Sequence, residues 1–228
     1  EQNDTGSVCL DFDLDGLYVN ESSLTESSNI EVRFFRPSEK YDRIVVVDAV
    51  GGGQNNGSEN GLLLGKDIAL ETALLLKNKA SRDQGNNVKF YFTRLKDEDV
   101  DPQKRSALIR DSEADLFVEL SASSSENAED NGILCYYNDR YFLRRLSNAA
   151  FADIMERNCA SKAGATALGI APSTGDELLE GAGIPAVRVS LGYVSGEKDS
   201  TNLAEQAYLS KVSDGVYNAV LEAFEVME

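Results

Sequence analysis

Two serines, Ser121 and Ser190, one lysine, Lys66, and the loop Gly51-Gly-Gly-Gln-Asn-Asn-Gly57 are the residues here whose types could carry chemistry. A serine becomes a nucleophile only beside a base, and the 228 residues contain no histidine. That absence removes the commonest general base near neutral pH and the commonest nitrogen ligand of zinc. A Ser–Lys arrangement with Lys66 is the nucleophilic pairing left open. The loop has neither the G-x-G-x-x-G spacing nor the lysine of a phosphate loop, so a tight turn is expected there. The acidic stretches Asp97 to Asp99 with Asp101, and Glu126 with Glu129 and Asp130, lack the ordered ligand spacing of a calcium loop and read as solvated charge. Cys9, Cys135 and Cys159 form no C-x-x-C pair. Buried thiols are the expectation, with one disulfide and a spare as the alternative.

The elements that must position these residues follow from periodicity. Ile44 to Val47 are four β-branched residues in a row, which suits a strand covered on both faces. Lys66 to Lys79 has helical spacing, and Val88 to Thr93 reads as a strand. Asp101 and Pro102 open a helix to about Asp111. Asp115 to Leu120, Ile133 to Tyr137 and Ala186 to Leu191 are expected strands. Tyr141 to Lys162 is expected to be the longest helix, Gly164 to Gly183 an irregular segment, and Leu203 to Phe224 a closing helix. Strands and helices thus alternate, which predicts a three-layer α/β domain with a mostly parallel sheet of about six strands flanked by helices. It is expected over residues 43–228, behind an N-terminal extended appendage over 1–42. In the appendage, Val8 to Phe12 and Ile30 to Phe35 look extended, separated by the serine-rich stretch Glu21 to Asn29.

Composition bounds the function. Hydrophobic residues at 42% and charged residues at 27% are ordinary for a globular chain. The net charge of −17, from 39 acids against 22 bases, repels a phosphate backbone and excludes nucleic acid as a partner. It also disfavours adsorption to an anionic membrane surface. No apolar run approaches the roughly 20 residues of a spanning helix. The sequence opens at Glu1 without a leader's basic and apolar regions, so a leader or membrane anchor is expected outside it.

Four segments in order resemble the zinc-dependent N-acetylmuramoyl-L-alanine amidases of the type 3 family. Ile44 to Gly53, with Asp48-Ala49 and Gly57, is similar to that family's D-A-G-H-G-G loop, and Gly65-Lys66-Asp67 to its E-K-D. Ala114 to Ser123 resembles A-D-L-F-I-S-I-H-A-N, with Gly132 and Tyr136-Tyr137 following where G-x-E-x-Y-Y stands. Ile184 to Ser195 resembles I-P-A-V-L-V-E-L-G-F-x-S-N, and Thr93-Arg94 and Arg105 fall where the family has T-R and a helical arginine. The resemblance implies that the family's three zinc ligands and its assisting glutamate correspond here to Gly51, Gly65, Ser121 and Ser190. Glycine offers no donor, and a serine hydroxyl is neither a usual zinc ligand nor a base at neutral pH. No metal, no cofactor and no catalytic residue is therefore expected.

Period-2 geometry puts Glu119 on the face of Ser121 and Arg188 on that of Ser190. The two are expected to pair beneath the old metal site and to replace the cross-linking of the ion. Glu119, Arg188, Asn55 and Ser123 form the candidate binding set. The resemblance implies an extracytoplasmic pseudoenzyme of the bacterial envelope that binds a peptidoglycan fragment or an envelope protein. An altered hydrolase, and a structural component of an envelope complex, are the alternatives.

Overall fold

Val45, Val46 and Val47 are wholly withdrawn from solvent, and burying each such side chain stabilises the fold by about 1.5–3 kcal/mol. They form the middle of a central strand in the computed structural model, which describes residues 9–140 and 142–228. In chain order the elements are β1 Val19–Leu24, β2 Ile30–Phe35, α1 Pro37–Lys40, β3 Arg43–Ala49, α2 Gly65–Arg82, β4 Val88–Phe92, α3 Pro102–Asp111 and β5 Leu116–Ser123. There follow β6 Ile133–Tyr137, α4 Asn148–Ala163, β7 Ala167–Pro172, α5 Glu177–Gly181, β8 Ala186–Tyr193, α6 Glu197–Leu203 and α7 Gln206–Met227.

Six strands make one sheet in the order β4-β3-β5-β8-β6-β7, and β1 and β2 make a separate antiparallel hairpin. β4, β3, β5 and β8 run parallel, β6 is antiparallel to β8, and β7 is parallel to β6. This is a three-layer α/β fold with a mostly parallel sheet.

Alternation along the strands divides the core. Val45, Val47, Leu116, Val118, Leu120, Val187 and Val189 point into the larger apolar layer, with side chains of α2, α4 and α7. Ile44, Val46, Phe117 and Ala186 point into the smaller one, with Leu179 and Ala182. The helices of the larger layer touch closely. A β-carbon on Gly215 of α7 would lie 2.6 Å from the Cys159 α-carbon of α4. Cys135 and Cys159 carry free thiols inside that layer.

Four expectations are corrected. Gly164 to Gly183 is not irregular throughout: it holds β7 and α5. β7 is a mostly exposed edge strand, Ala167-Leu-Gly-Ile-Ala-Pro172, whose internal glycine and closing proline read as loop punctuation, and Glu156 fixes it by accepting from the Gly169 amide at 2.8 Å. The helix expected from Tyr141 starts at Asn148, behind the cap Ser147 Oγ, which accepts from the Ala150 amide. Tyr141 itself lies outside the described residues, and α7, not α4, is the longest helix among them. The closing helix expected over Leu203 to Phe224 is α7, which starts at Gln206, and the short α6 precedes it across Ala204 and Glu205. In the appendage, residues 1 to 8 lie outside the described set, 9 to 12 join no ladder, and the serine-rich stretch forms most of β1.

Candidate functional site

The strand register lines up one row of polar side chains across four strands. Asp48 of β3 stands beside Glu119 of β5, which stands beside Arg188 of β8, which stands beside Tyr136 of β6. One step toward the carboxyl ends of the parallel strands, Ser121 stands beside Ser190. In open α/β sheets ligands bind beyond those ends.

Each buried acid in the row has a cation beside it. Arg188 Nε donates to Glu119 Oε2 at 3.0 Å, and Arg188 also pairs with Asp176, the residue that caps α5 by accepting from the Leu179 amide. Asp176 Oδ2 is buried with no other hydrogen-bond donor among the described residues, so the guanidinium is its compensation. Arg105 Nη1 donates to Asp48 Oδ1 at 2.5 Å, and Thr93 Oγ1 donates to the same oxygen. Burial pushes the Glu119 carboxyl well above its ordinary range, and Asp176 adds to that against the pull of Arg188. Burial works against the Arg188 charge, but the two acids outweigh it and its pKa is raised.

Above the row, the loop after β3 folds back on itself. Gly51, Gly52 and Gly53 have positive φ, and Gly52 and Asn55 exchange two backbone hydrogen bonds at 2.9 and 3.0 Å. The Asn56 and Ser58 carbonyls accept from the Lys66 and Gly65 amides at 3.0 and 2.7 Å, which satisfies orphan donors of the first turn of α2 from within the chain. Lys66 Nζ donates to the Gly53 carbonyl at 2.7 Å and to Asp97 at 3.0 Å. The hydrogen bond from Lys66, with another from the Gly53 amide, lowers the Asp97 pKa. Arg94 is buried and donates to the carbonyls of Ala49, Val50, Lys66 and Lys96, which fixes the loop to its neighbours.

This folding decides what Gly51 and Gly65 can carry. A β-carbon at Gly51 would lie 2.7 Å from the Asn55 carbonyl oxygen and 3.0 Å from the Lys66 β-carbon, and at Gly65 it would lie 3.1 Å from the Ser58 amide nitrogen and carbonyl oxygen. Loop backbone fills those places. Leu62, at the end of this loop, is 92% exposed and does not cover the site. Asn55 Oδ1 accepts from the Gly57 amide, so this candidate binding residue holds the turn.

The serines are occupied with each other and with the sheet. Ser190 is fully buried and donates to Ser123 Oγ at 2.6 Å, and Ser121 Oγ donates to the Val189 carbonyl at 3.1 Å. Lys66 hydrogen-bonds to Gly53 and Asp97 rather than to either serine. The acidic stretches are likewise engaged. Asp101 caps α3, and Asp130 accepts from Ser125 and Asn127. Among the described residues, no three of His, Cys, Asp and Glu stand together as a metal site.

The structure thus brings Glu119, Arg188, Ser121, Ser190 and Ser123 to one sheet end and puts Asn55, Gly51 and Gly65 in the loop beside it. Sequence reasoning missed Asp176, whose signal was its N-cap position before Glu177-Leu-Leu-Glu180. It noted Arg94 and Arg105 but not their partners.

A family profile described as N-acetylmuramoyl-L-alanine amidase matches residues 45–222. The germination-specific N-acetylmuramoyl-L-alanine amidase of Bacillus subtilis (strain 168) is 24% identical over 196 residues, 80% of each chain. The catalytic domain of CwlV, an N-acetylmuramoyl-L-alanine amidase from Bacillus (Paenibacillus) polymyxa var. colistinus, superposes with a TM-score of 0.71 at 25% identity, over 81% of this chain and 99% of that one. The CwlD amidase of Clostridioides difficile, solved in complex with the GerS lipoprotein, gives 0.71 at 20% identity over the same shares.

Proposed function

We propose that this chain, which belongs to the N-acetylmuramoyl-L-alanine amidase family, is a non-catalytic member that serves the bacterial cell envelope by binding rather than by hydrolysis. The observation that carries the reading is the closure at Gly51, where the Asn55 carbonyl takes the place of a side chain. The zinc of the family does not fit the residues present. Two of the three ligand positions are glycines facing backbone, the third is Ser121, and the position of the assisting glutamate is Ser190, buried and bonded to Ser123. A zinc site needs charged or imidazole donors that this set lacks. The serines have no base within their hydrogen bonds, which leaves no activated nucleophile either.

What is bound is cell-wall material or an envelope protein, on the outer side of the membrane. The CwlD neighbour, solved with a lipoprotein, supports the protein alternative. Among the described residues no helix is long and apolar enough to cross a membrane.

The test pairs a metal assay with a muropeptide assay on the whole chain. The expected result is no zinc above background and no cleavage beyond a chelator-treated control, with retention on insoluble peptidoglycan or on a protein partner. Zinc at one equivalent, or cleavage abolished by chelator, overturns the reading.

A further inference from the structure

Five of the ten exposed large apolar side chains among the described residues, Leu10, Phe12, Leu14, Leu24 and Ile30, fall within residues 10–30, ahead of the stretch that matches the family. Leu24 and Ile30 are register partners on the β1–β2 hairpin and are 73% and 69% exposed. Strand alternation puts Ile30, Val32 and Phe34 on one face of β2. Phe12 lies edge-on to Phe34 with centroids 5.1 Å apart, so the segment before β1 reaches that same face. In this segment Leu10, Phe12 and Leu14 alternate with Asp11, Asp13 and Asp15, and all six are exposed. Residues 10–14 make no backbone hydrogen bond to another described residue. A two-stranded hairpin by itself is marginal in water, and clustered exposed apolar groups mark contact surfaces.

Charge selects the occupant. An anionic lipid surface meets three aspartates and a chain of net charge −17, which repel it. A second copy in a two-fold dimer sets the patch against itself, aspartates facing aspartates. A basic polypeptide satisfies both features at once: its cations meet Asp11, Asp13 and Asp15, and its apolar side chains cover Phe12, Leu24 and Ile30. We infer that the apolar face of the β1–β2 hairpin, with the Leu10–Asp15 segment, docks an extended segment of a partner protein in which basic and apolar side chains alternate. Strand addition of this kind uses main-chain hydrogen bonds for affinity and alternate side chains for selectivity. The surface shares no residue with the strand ends described above, so its test is independent of the zinc and muropeptide assays.

The experiment uses the whole chain and three labelled short peptides. One alternates Lys and Val, one has the same residues in two blocks, and one alternates Glu and Val. The alternating basic peptide is expected to bind about tenfold tighter than the block isomer, to weaken between about 50 and about 300 mM salt, and to shift amide signals within residues 10–34. Asp11→Asn with Asp13→Asn, exposed changes that leave the fold intact, is expected to remove most of the salt dependence. Leu24→Ser with Ile30→Ser is expected to weaken binding at every salt concentration. The inference is overturned if the block isomer binds equally well, if the shifts lie elsewhere, if the chain dimerises through the hairpin, or if phosphatidylglycerol vesicles bind and Leu24→Ser with Ile30→Ser releases them.

Discussion

Arg188 and Glu119 face each other in register on β8 and β5, and the guanidinium lies 3.0 Å from the carboxylate. Asp176, from the cap of α5, takes the other side of the same guanidinium. One cation therefore ties together two central strands and the short helix over the smaller core layer. Burial raises the Glu119 pKa, and the second acid on the same guanidinium, Asp176, adds to that rise.

Replacing the cation should expose its role. Arg188→Met leaves Glu119 and Asp176 buried without compensation and is expected to cost about 3 kcal/mol, the low end for a broken buried pair because Arg188 is 30% exposed. Urea midpoints measure this. A loss indistinguishable from zero would show that the three groups are coupled to nothing that folding needs.

The pH dependence follows from the direction of the Glu119 shift. The folded protein holds this proton above the ordinary value of 4.5, so the contribution is fully present below that value and is lost as pH rises through the raised one. The wild type is thus expected to lose stability from about pH 4.5 upward relative to Glu119→Gln, which lacks the slope. Parallel curves for the two proteins would contradict it.

At Gly51, φ is +81° and the added β-carbon meets the Asn55 carbonyl. Gly51→Ala is expected to destabilise by about 1–3 kcal/mol. Gly51→His is expected to lower the melting temperature without creating zinc affinity, read by calorimetric titration. Tight zinc binding by that variant would mean that the loop yields readily.

How much of this was legible in the sequence depends on what each residue is buried against. β3, β5 and β8 were readable because both faces are covered and their side chains are apolar in succession. β1 was not, since its residues are mostly exposed and polar, and a strand without a buried face has no hydrophobic signature. The Glu119–Arg188 pair was readable because both residues sit two before a recognisable serine on neighbouring strands, and period-2 counting carries across a ladder. Asp176 was not, because its approach to Arg188 depends on the path of a loop. The loop closure was also hidden. A run of glycines permits positive φ but does not say which carbonyl will fill the space left.

Arg94 supplies a further test of that closure. Its guanidinium serves carbonyls of Ala49, Val50, Lys66 and Lys96, a planar fork that an ammonium cannot reproduce. Arg94→Lys is expected to cost about 2–4 kcal/mol through buried carbonyls left unpaired. Faster proteolysis within Gly51 to Gly61 would accompany it. Unchanged cleavage there would assign Arg94 to general stability alone.

The close seat of Gly215 on Cys159 seals that thiol between α4 and α7, with Cys135 buried in the same layer. Burial raises the pKa of both thiols, so within the folded chain neither offers a thiolate to solvent. An alkylating reagent reaches them only when β6, α4 and α7 part. Their rate of modification therefore counts openings of the main core, and the chain carries its own clock for global unfolding.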